Sequence, residues 1–458
     1  MSENLQIKDD QYIKIFLRIM PKLKNDSSQM NYLKINENKN SLSISLSTEN
    51  ESKFHFNDIF NDDENQSNIF KIIGKSLCSN TLEGINSTFI SYGKKSTGKT
   101  YTIFGKSLQE ILNESSINGK ETDELYYKYL KNRGIFNHCI EYIFNNIYKN
   151  EIQNIFDFNI ELSYIEIFDN FVLDYFNISN FDKNNQLNFD YLFNCNKPSH
   201  LNFTRLNISS SDEAQVLLGN AEKIRNYIFK EINLIEGSGN KVIKIYVEKI
   251  NKKFNKIFKS ELNFVEISSN FNSKNNKYNL SVNKSLETFS YIINQLSDNV
   301  KRENIIYENS ILTNVLKESL GGNCKTSVLI NISPESNHLL DSFQSISFIS
   351  KMKEIKNNPK INEIYPDNVE FSKYIEIVDK TERLKSEKNY LLNYLGNINV
   401  NVIEKNIENI SKKLELNQNK KEKEENLKNL LNGINEMKSK IDNIENDINL
   451  MKMEEKNK

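Results

Sequence analysis

The chain has no tryptophan and only four cysteines and four histidines among its 458 residues. The cysteines form no C-x-x-C pair, and the histidines show no ligand spacing, which argues against a disulfide framework or a zinc site and indicates a reducing compartment. The sequence has no run of about 18 apolar residues, and its first residues lack the apolar segment of a secretory signal. It therefore predicts neither a membrane span nor secretion. The scattered cysteines are Cys78, Cys139, Cys195 and Cys324.

The chain also has no excess of positive or negative charge, because 60 basic residues balance 61 acidic ones to a net charge of −1. No global field attracts an acidic partner, so any basic surface must be local. The length allows two or more domains. Hydrophobic residues at 38% and charged residues at 26% are typical of a soluble domain with a polar, helical extension. We attribute the frequent Asn, Lys and Ile to coding bias.

What the chain does contain is the spacing Gly93-x-x-x-x-Gly98-Lys99-Thr100. Glycines at these positions let successive backbone N–H groups point inward at a phosphate chain. Lys99 can reach the outer phosphates, and the Thr100 hydroxyl can bind Mg²⁺. The apolar run Thr88–Tyr92 predicts a buried strand entering the loop, with the phosphates at the start of the next helix. A chance glycine turn in a lysine-rich chain is the alternative.

The residues around this loop follow a recognisable order. A phenylalanine-rich run at 54–60 and Gln66 come first, and Leu82-Glu83-Gly84-Ile85-Asn86 precedes the loop. Tyr101-Thr102-Ile103-Phe104-Gly105 follows it. The order resembles the kinesin motor domain. The resemblance implies an α/β P-loop NTPase-type motor domain, a central mixed sheet flanked by helices, and covers about residues 11–364.

The resemblance also implies a nucleotide site for ATP or ADP with Mg²⁺, in which Thr100 faces the metal. The strand before Pro21 ends in the family's adenine-flanking motif, but Met20 replaces its second arginine. Tyr101 stands where the family places a ring on the adenine, and a packed core tyrosine is an equal alternative. The implied cofactor-binding residues are Arg18, Pro21, Gly93, Lys94, Lys95, Ser96, Thr97, Gly98, Lys99, Thr100 and Tyr101.

Two loops that sense the γ-phosphate in kinesins are altered here. Aligned from the following strand, the first keeps only its leading asparagine as Asn233, whereas Gly237 replaces the metal-facing serine and Ser238 the arginine. In the second, Glu266 replaces an aspartate and Phe271 the glutamate that pairs with that arginine. The candidate catalytic residues are therefore Glu266 and Asn233. Loss of both partners of an ion pair can be nearly neutral for stability. A slipped alignment is the alternative.

The later part of the chain returns to the family pattern. Asn283-Lys284-Ser285-Leu286 resembles the start of the helix that lies on the microtubule in kinesins. Three basic positions of the following segment are Glu308, Ile311 and Asn314, which predicts weak binding to acidic tubulin, with Lys301 and Arg302 compensating only in part. The segment 320–357 matches closely. The predicted domains are the motor at 1–357, a neck linker at 358–366 and a helical extension at 367–458.

The extension carries an apolar seam with the 3-4 spacing of a coiled coil, strongest at 421–453. It predicts a parallel homodimer, and a single amphipathic helix packed back on the motor is the alternative. The seam consists of Leu427, Leu430, Ile434, Met437, Ile441, Ile444, Ile448 and Met451.

Two function classes stay open. The first is an ATP-driven, microtubule-associated kinesin-like motor, cytoplasmic and attached to the cytoskeleton, with degenerate switch loops. The second is a pseudo-motor or scaffold that binds nucleotide with little or no hydrolysis, so ATPase activity is undecided. The order of motifs disfavours another P-loop ATPase, and nothing indicates nucleic acid as a partner.

Overall fold

The computed structural model describes two compact units, Met1–Ile364 and Tyr365–Lys458. In the second unit it describes Tyr365 and short helical pieces between residues 375 and 386, so the predicted coiled coil lies outside the described residues. Asn233, Gly237, Ser238 and Phe271 lie outside them too. In the first unit the described residues are 11–21, 33–45, 51–62, 64–106, 111, 128–152, 156–168, 171–177, 203–231, 239–268 and 279–364.

A large mixed sheet forms the centre of the first unit. Its described strands run in the order β5-β1-β12-β6-β11-β10-β7-β8, with β13 beside β11 and β9 beside β7. The strands from β5 to β11 are parallel to their neighbours, and β10 and β7 continue antiparallel. These strands are β1 (Lys14–Ile19), β5 (Asp58–Phe60), β6 (Ser87–Gly93), β7 (Asp157–Ile167), β8 (Val172–Asp174), β9 (Leu206–Asn207), β10 (Asn240–Asn251), β11 (Lys256–Ser268), β12 (Lys325–Ile332) and β13 (Glu363–Ile364). A separate small sheet contains β2 (Leu33–Ile35), β3 (Ser41–Ser45) and β4 (Glu51–His55).

Helices cover both faces of the large sheet. A π-helical turn at Phe70–Gly74 joins the first two helices into one continuous element. The described α-helices of the first unit are α1 (Gln66–Ile69), α2 (Lys75–Leu82), α3 (Lys99–Phe104), α4 (Ile135–Ile152), α5 (Ser211–Glu231), α6 (Asn279–Ser297), α7 (Ile311–Val315) and α8 (Leu339–Ser350). This is the layered architecture that the resemblance implies.

The core divides into two apolar clusters because successive strand residues point to opposite faces. In β1, Ile15 and Leu17 belong to one cluster and Phe16 to the other. The first cluster includes residues of α6 and α8, and the second residues of α2, α4 and α5. Every residue of β6 is buried, which agrees with the continuous apolar run expected of a central parallel strand.

Strand β10 is longer than its apolar alternation predicts. The alternation indicates a strand at 242–247, whereas β10 spans Asn240–Asn251 and pairs with β11 along its whole length. The added residues other than Ile250 are polar, so the apolar alternation does not detect them. The extension matters because it brings Lys241 of β10 directly opposite Glu266 of β11.

Candidate functional site

The loop from Gly93 to Thr100 connects β6 to α3, as the sequence predicts for a phosphate-binding loop. Its first glycine is required by packing, because a Cβ on Gly93 would lie 2.3 Å from the backbone oxygen of Asn331. Gly98 adopts a left-handed conformation, with φ of 90°, where the loop meets the helix. Ser96 also has positive φ, at 66°. The backbone therefore curls tightly and keeps an open face.

Two side chains of the loop are placed for phosphate chemistry. Lys99 is buried, and its Nζ donates a hydrogen bond of 2.7 Å to the backbone oxygen of Lys94. Burial lowers the pKa of Lys99 to about 8, since the surroundings disfavour its charge. Thr100 is exposed and donates from Oγ1 to Oε1 of Glu266 at 2.8 Å. The structure thus brings the predicted metal-facing hydroxyl and the predicted carboxylate together.

The residues present fit a phosphate chain with a divalent cation. Positive φ at Ser96 and Gly98 curls the loop backbone, and the ammonium of Lys99 is buried within the loop. The second carboxylate oxygen of Glu266, Oε2, is buried without a hydrogen-bond partner. Hydroxyl and carboxylate oxygens are the ligands that Mg²⁺ prefers, directly or through water. No group of three or more candidate metal-ligating side chains occurs within the described residues.

The other predicted loop residues differ in their exposure. Lys95 and Ser96 are exposed, whereas Thr97 is buried and its hydroxyl donates to the Lys94 oxygen at 2.8 Å. The Lys94 ammonium forms an ion pair with Asp341 of α8. Lys94 therefore holds the outer side of the loop to α8.

Arg18 and Tyr101, the predicted adenine-flanking pair, lie against each other. The guanidinium of Arg18 lies 5.1 Å from the centre of the Tyr101 ring. It is buried and donates to Thr102 Oγ1 at 2.7 Å and to Gln66 Oε1 at 3.1 Å. The Tyr101 hydroxyl donates to Asn132 at 3.0 Å, and Pro21 is exposed. Arg18 thus contributes to the packing beneath α3 as well as to the candidate site.

A second polar cluster, not predicted from the sequence, extends from Glu266. Lys241 lies with its Nζ 3.9 Å from Glu266 Oε2 and 3.5 Å from Glu222 Oε1 of α5. Glu222 also accepts a hydrogen bond from the Tyr164 hydroxyl. The cluster therefore links the phosphate loop to α5 through alternating charges. The sequence signal was a lysine directly before the apolar run of β10, but its partners are known only from the strand register and from the packing of α5.

The sequence does not predict a chemical role for Glu166. In the structure, Glu166 is a buried ion-pair partner of Arg225. Its carboxylate is fully buried and accepts from Arg225 Nε at 2.8 Å and from the Tyr175 hydroxyl at 2.7 Å. Burial alone would lower the pKa of Arg225, but the charge of Glu166 raises it well above its ordinary value. Gly239 packs on this carboxylate, since a Cβ there would lie 2.6 Å from Glu166 Cγ.

The predicted microtubule-contact face needs one correction. Ile311 is only 6% exposed and belongs to the core, so this side chain is not part of the exposed face. Glu308 is exposed and pairs with Lys317 at 3.0 Å, and Asn314 is half-buried. Arg302 is already paired with Glu318 at 2.7 Å. The altered surface charge is therefore confined to Glu308 and Asn314.

Comparison with known proteins agrees with this geometry. The family model for the kinesin motor domain matches residues 18–355. The chain is 26% identical over 344 residues to Kinesin-related protein 4 of Dictyostelium discoideum, which covers 73% of this chain and 16% of that protein. It is 25% identical over 408 residues to Kinesin-like protein KIN-7N of Arabidopsis thaliana, which covers 85% of this chain and 45% of that protein.

Among solved structures, one described as "Structure of a fast kinesin: Implications for ATPase mechanism and interactions with microtubules" superposes with a TM-score of 0.64. It has 22% sequence identity and covers 78% of this chain and 96% of that one, which shows a shared fold. The chain spans less than half the length of the two relatives named above. No described helix is long and apolar enough to cross a bilayer. On its family match and its fold, the chain belongs to the kinesin motor domain family.

Proposed function

We propose that this chain binds ATP or ADP with Mg²⁺ and acts as a kinesin-like, microtubule-associated motor with slow turnover. The observation that carries the proposal is the contact between Thr100 and Glu266 at 2.8 Å, at the end of a complete phosphate loop. Gly93 to Thr100 would hold the phosphates, Lys99 would neutralise the outer ones, and Thr100 with Glu266 would hold the metal ion. Bound Mg²⁺ would offset the charge of the phosphates while the γ-phosphoryl group is transferred to water.

Slow turnover is supported by the residues that the sequence places around the γ-phosphate. Gly237, Ser238 and Phe271 lack the hydroxyl, the guanidinium and the carboxylate found in the family. Stabilisation of the transition state requires donors and charges that are already aimed at the transferred group. Asn233 and Glu266 are the remaining candidates for orienting water. If their contribution is small, the chain is a pseudo-motor that binds nucleotide as a scaffold.

The end of the motor unit supports a mechanical role. β13 pairs with β11 through Phe258 and Ile257, and the backbone N–H of Asn362 donates to Gly84 at 2.8 Å. β11 carries Glu266 near its other end. A shift of β11 at the phosphate site would therefore reach the predicted neck linker, residues 358–366, along one strand.

Nucleotide binding is tested by calorimetry of ADP in the presence of Mg²⁺. Lys99→Ala removes a charge-assisted contact to phosphate, and we expect affinity to fall roughly 100-fold, the equivalent of about 3 kcal/mol. Lys71→Ala is the matched control, since Lys71 is also a lysine of the motor unit but is exposed and lies outside the loop. Equal affinity of Lys99→Ala and the unaltered chain would refute the proposal.

Motor and pseudo-motor are distinguished by ATPase rates with and without microtubules. A motor shows turnover that rises on microtubule addition, and a pseudo-motor shows nucleotide binding with no such rise. Dimerisation through residues 421–453 is a further part of the proposal. Sedimentation should give a dimer for the whole chain and a monomer for a chain ending at residue 366, and a monomeric whole chain would favour the packed-back helix.

A further inference from the structure

Lys241 is a buried cation at the phosphate end of the sheet that the family resemblance does not account for. It is the second residue of β10 and lies opposite Glu266 on β11 and opposite Glu166 on β7. Its side chain is 9% exposed. A lysine is almost never buried to this degree without a carboxylate partner. Its partners should therefore indicate its role.

The ammonium of Lys241 is shared between two carboxylates and is not committed to either. Its distances of 3.5 Å to Glu222 Oε1 and 3.9 Å to Glu266 Oε2 exceed hydrogen-bond length. Glu266 Oε2 is buried and has no hydrogen-bond partner, although Oε1 accepts from Thr100. The ring of Phe104, 5.5 Å from the ammonium, forms part of the surrounding wall. The Lys241 ammonium could therefore form a shorter contact with an anion bound beside Glu266 than it forms with either carboxylate.

The charge of Lys241 extends to the phosphate loop. Lys241 Nζ lies 3.9 Å from Glu266 Oε2, and Glu266 Oε1 accepts a hydrogen bond from Thr100, the residue that follows Lys99. Glu266 therefore connects Lys241 to the end of the phosphate loop. A positive charge at this place, next to the loop, favours the binding of a polyanion.

We propose that Lys241 is an additional cation of the nucleotide site, which neutralises part of the phosphate charge and competes with Mg²⁺ for Glu266. The inference rests on the proposed function, since it requires a phosphate chain in the loop from Gly93 to Thr100. It adds that nucleotide binding in this chain depends only weakly on Mg²⁺. Lys241 supplies part of the positive charge that the metal ion supplies when bound.

Two effects of removing Lys241 act in the same direction. Without its ammonium, nucleotide alone loses a favourable charge and binds more weakly. Glu266 is then no longer opposed by a cation and holds Mg²⁺ more strongly. The factor by which Mg²⁺ increases nucleotide affinity therefore rises. By thermodynamic linkage, nucleotide increases Mg²⁺ affinity by the same factor.

The experiment measures ADP affinity by calorimetry with saturating Mg²⁺ and with EDTA. For each variant, the dissociation constant in EDTA is divided by the one in Mg²⁺, and we call this the Mg²⁺ ratio. We expect the ratio for Lys241→Met to be about tenfold larger than for the unaltered chain. Because each ratio uses one preparation, partial misfolding cancels. ADP is used so that turnover does not interfere.

Lys244→Met is the matched control. Lys244 is also a buried lysine of β10 and pairs with Glu261 of β11 at 3.2 Å, away from the phosphate loop. Its removal strands a carboxylate in the same way, and we expect no change in the Mg²⁺ ratio. Lys241→Arg, which keeps the charge, should stay within about threefold of the unaltered ratio. Lys241→Gln, a second neutral variant, should show the same increase as Lys241→Met and replaces it if Lys241→Met does not fold.

A second measurement uses the reciprocal effect. Mn²⁺ in place of Mg²⁺, followed by paramagnetic resonance, should bind the ADP complex of Lys241→Met about tenfold more tightly than that of the unaltered chain. An unchanged ratio in Lys241→Met would overturn the inference and leave Lys241 as a structural link between Glu222 and Glu266, while the proposed function stands. Failure of the unaltered chain to bind ADP under either condition would instead overturn the proposed function and this inference with it.

Discussion

The two ends of β11 differ in what holds them. At the phosphate end, Glu266 and its neighbours are buried charges that contact α3, β10 and α5. At the other end, β13 adds two exposed residues, and its ion pair between Lys256 and Glu363 is about one-third exposed on each side. Buried pairs are costly to break, whereas exposed ones contribute little. The contacts at the β13 end should therefore be the easier ones to break.

The largest expected effect is at the phosphate end. Arg225→Met leaves Glu166 buried without its cation and should lower the free energy of unfolding by about 3–5 kcal/mol. Denaturant unfolding followed by circular dichroism measures it. Lys259→Met removes a partly exposed pair with Glu248 and should cost less than about 1 kcal/mol. Similar losses in the two variants would contradict the contrast between buried and exposed pairs.

The next effect concerns the turn that shapes the loop. Gly93→Ala places a Cβ against the Asn331 backbone and should destabilise the protein by about 2–3 kcal/mol. Gly219→Ala is the control, because its Cβ would meet nothing within 4 Å and the residue lies inside α5. That change should stabilise the protein by about 0.5–1 kcal/mol. Thermal unfolding of both variants gives the comparison, and a stabilised Gly93→Ala would contradict the close approach.

At the opposite end, anchoring depends on Asn357 more than on β13. Asn357 is buried, accepts from the Gly321 N–H at 2.7 Å and donates to the Cys324 backbone oxygen at 2.8 Å. Asn357→Ala should cost about 1–3 kcal/mol, because it leaves buried polar groups without partners. Ile364→Ser on β13 should change stability by no more than about 0.5 kcal/mol. The reverse order would show that β13 is the anchor.

The smallest effect is expected on the contact face. Glu308→Arg with Asn314→Arg should strengthen microtubule co-sedimentation about fivefold, from roughly 0.5 kcal/mol at each position. The increase should disappear at high salt, since exposed charges are screened. Ile311→Lys serves as a contrast, because the buried position should lose stability and gain no binding. Unchanged binding of the double variant would show that these positions do not face the microtubule.

Much of the fold could be predicted from the sequence, because the central strand β6 is an apolar run and the loop glycines have the spacing of a phosphate-binding loop. The strand into the loop, the loop and the helix after it are confirmed. Predicting Ile311 as a surface position was wrong, because a helix of five residues has too little periodicity to show which side is buried. The adenine role of Arg18 and Tyr101 stays a prediction.

The sequence by itself determined that a phosphate loop exists and which residues form it, because that chemistry is local: glycine, lysine and threonine act within eight consecutive residues. Only the tertiary structure decided which charges surround it. Lys241 and Glu266 are 25 residues apart along the chain, and Glu222 belongs to a helix. Their meeting depends on the register of β10 against β11 and on the packing of α5, which backbone hydrogen bonding and core burial determine over long sequence separation.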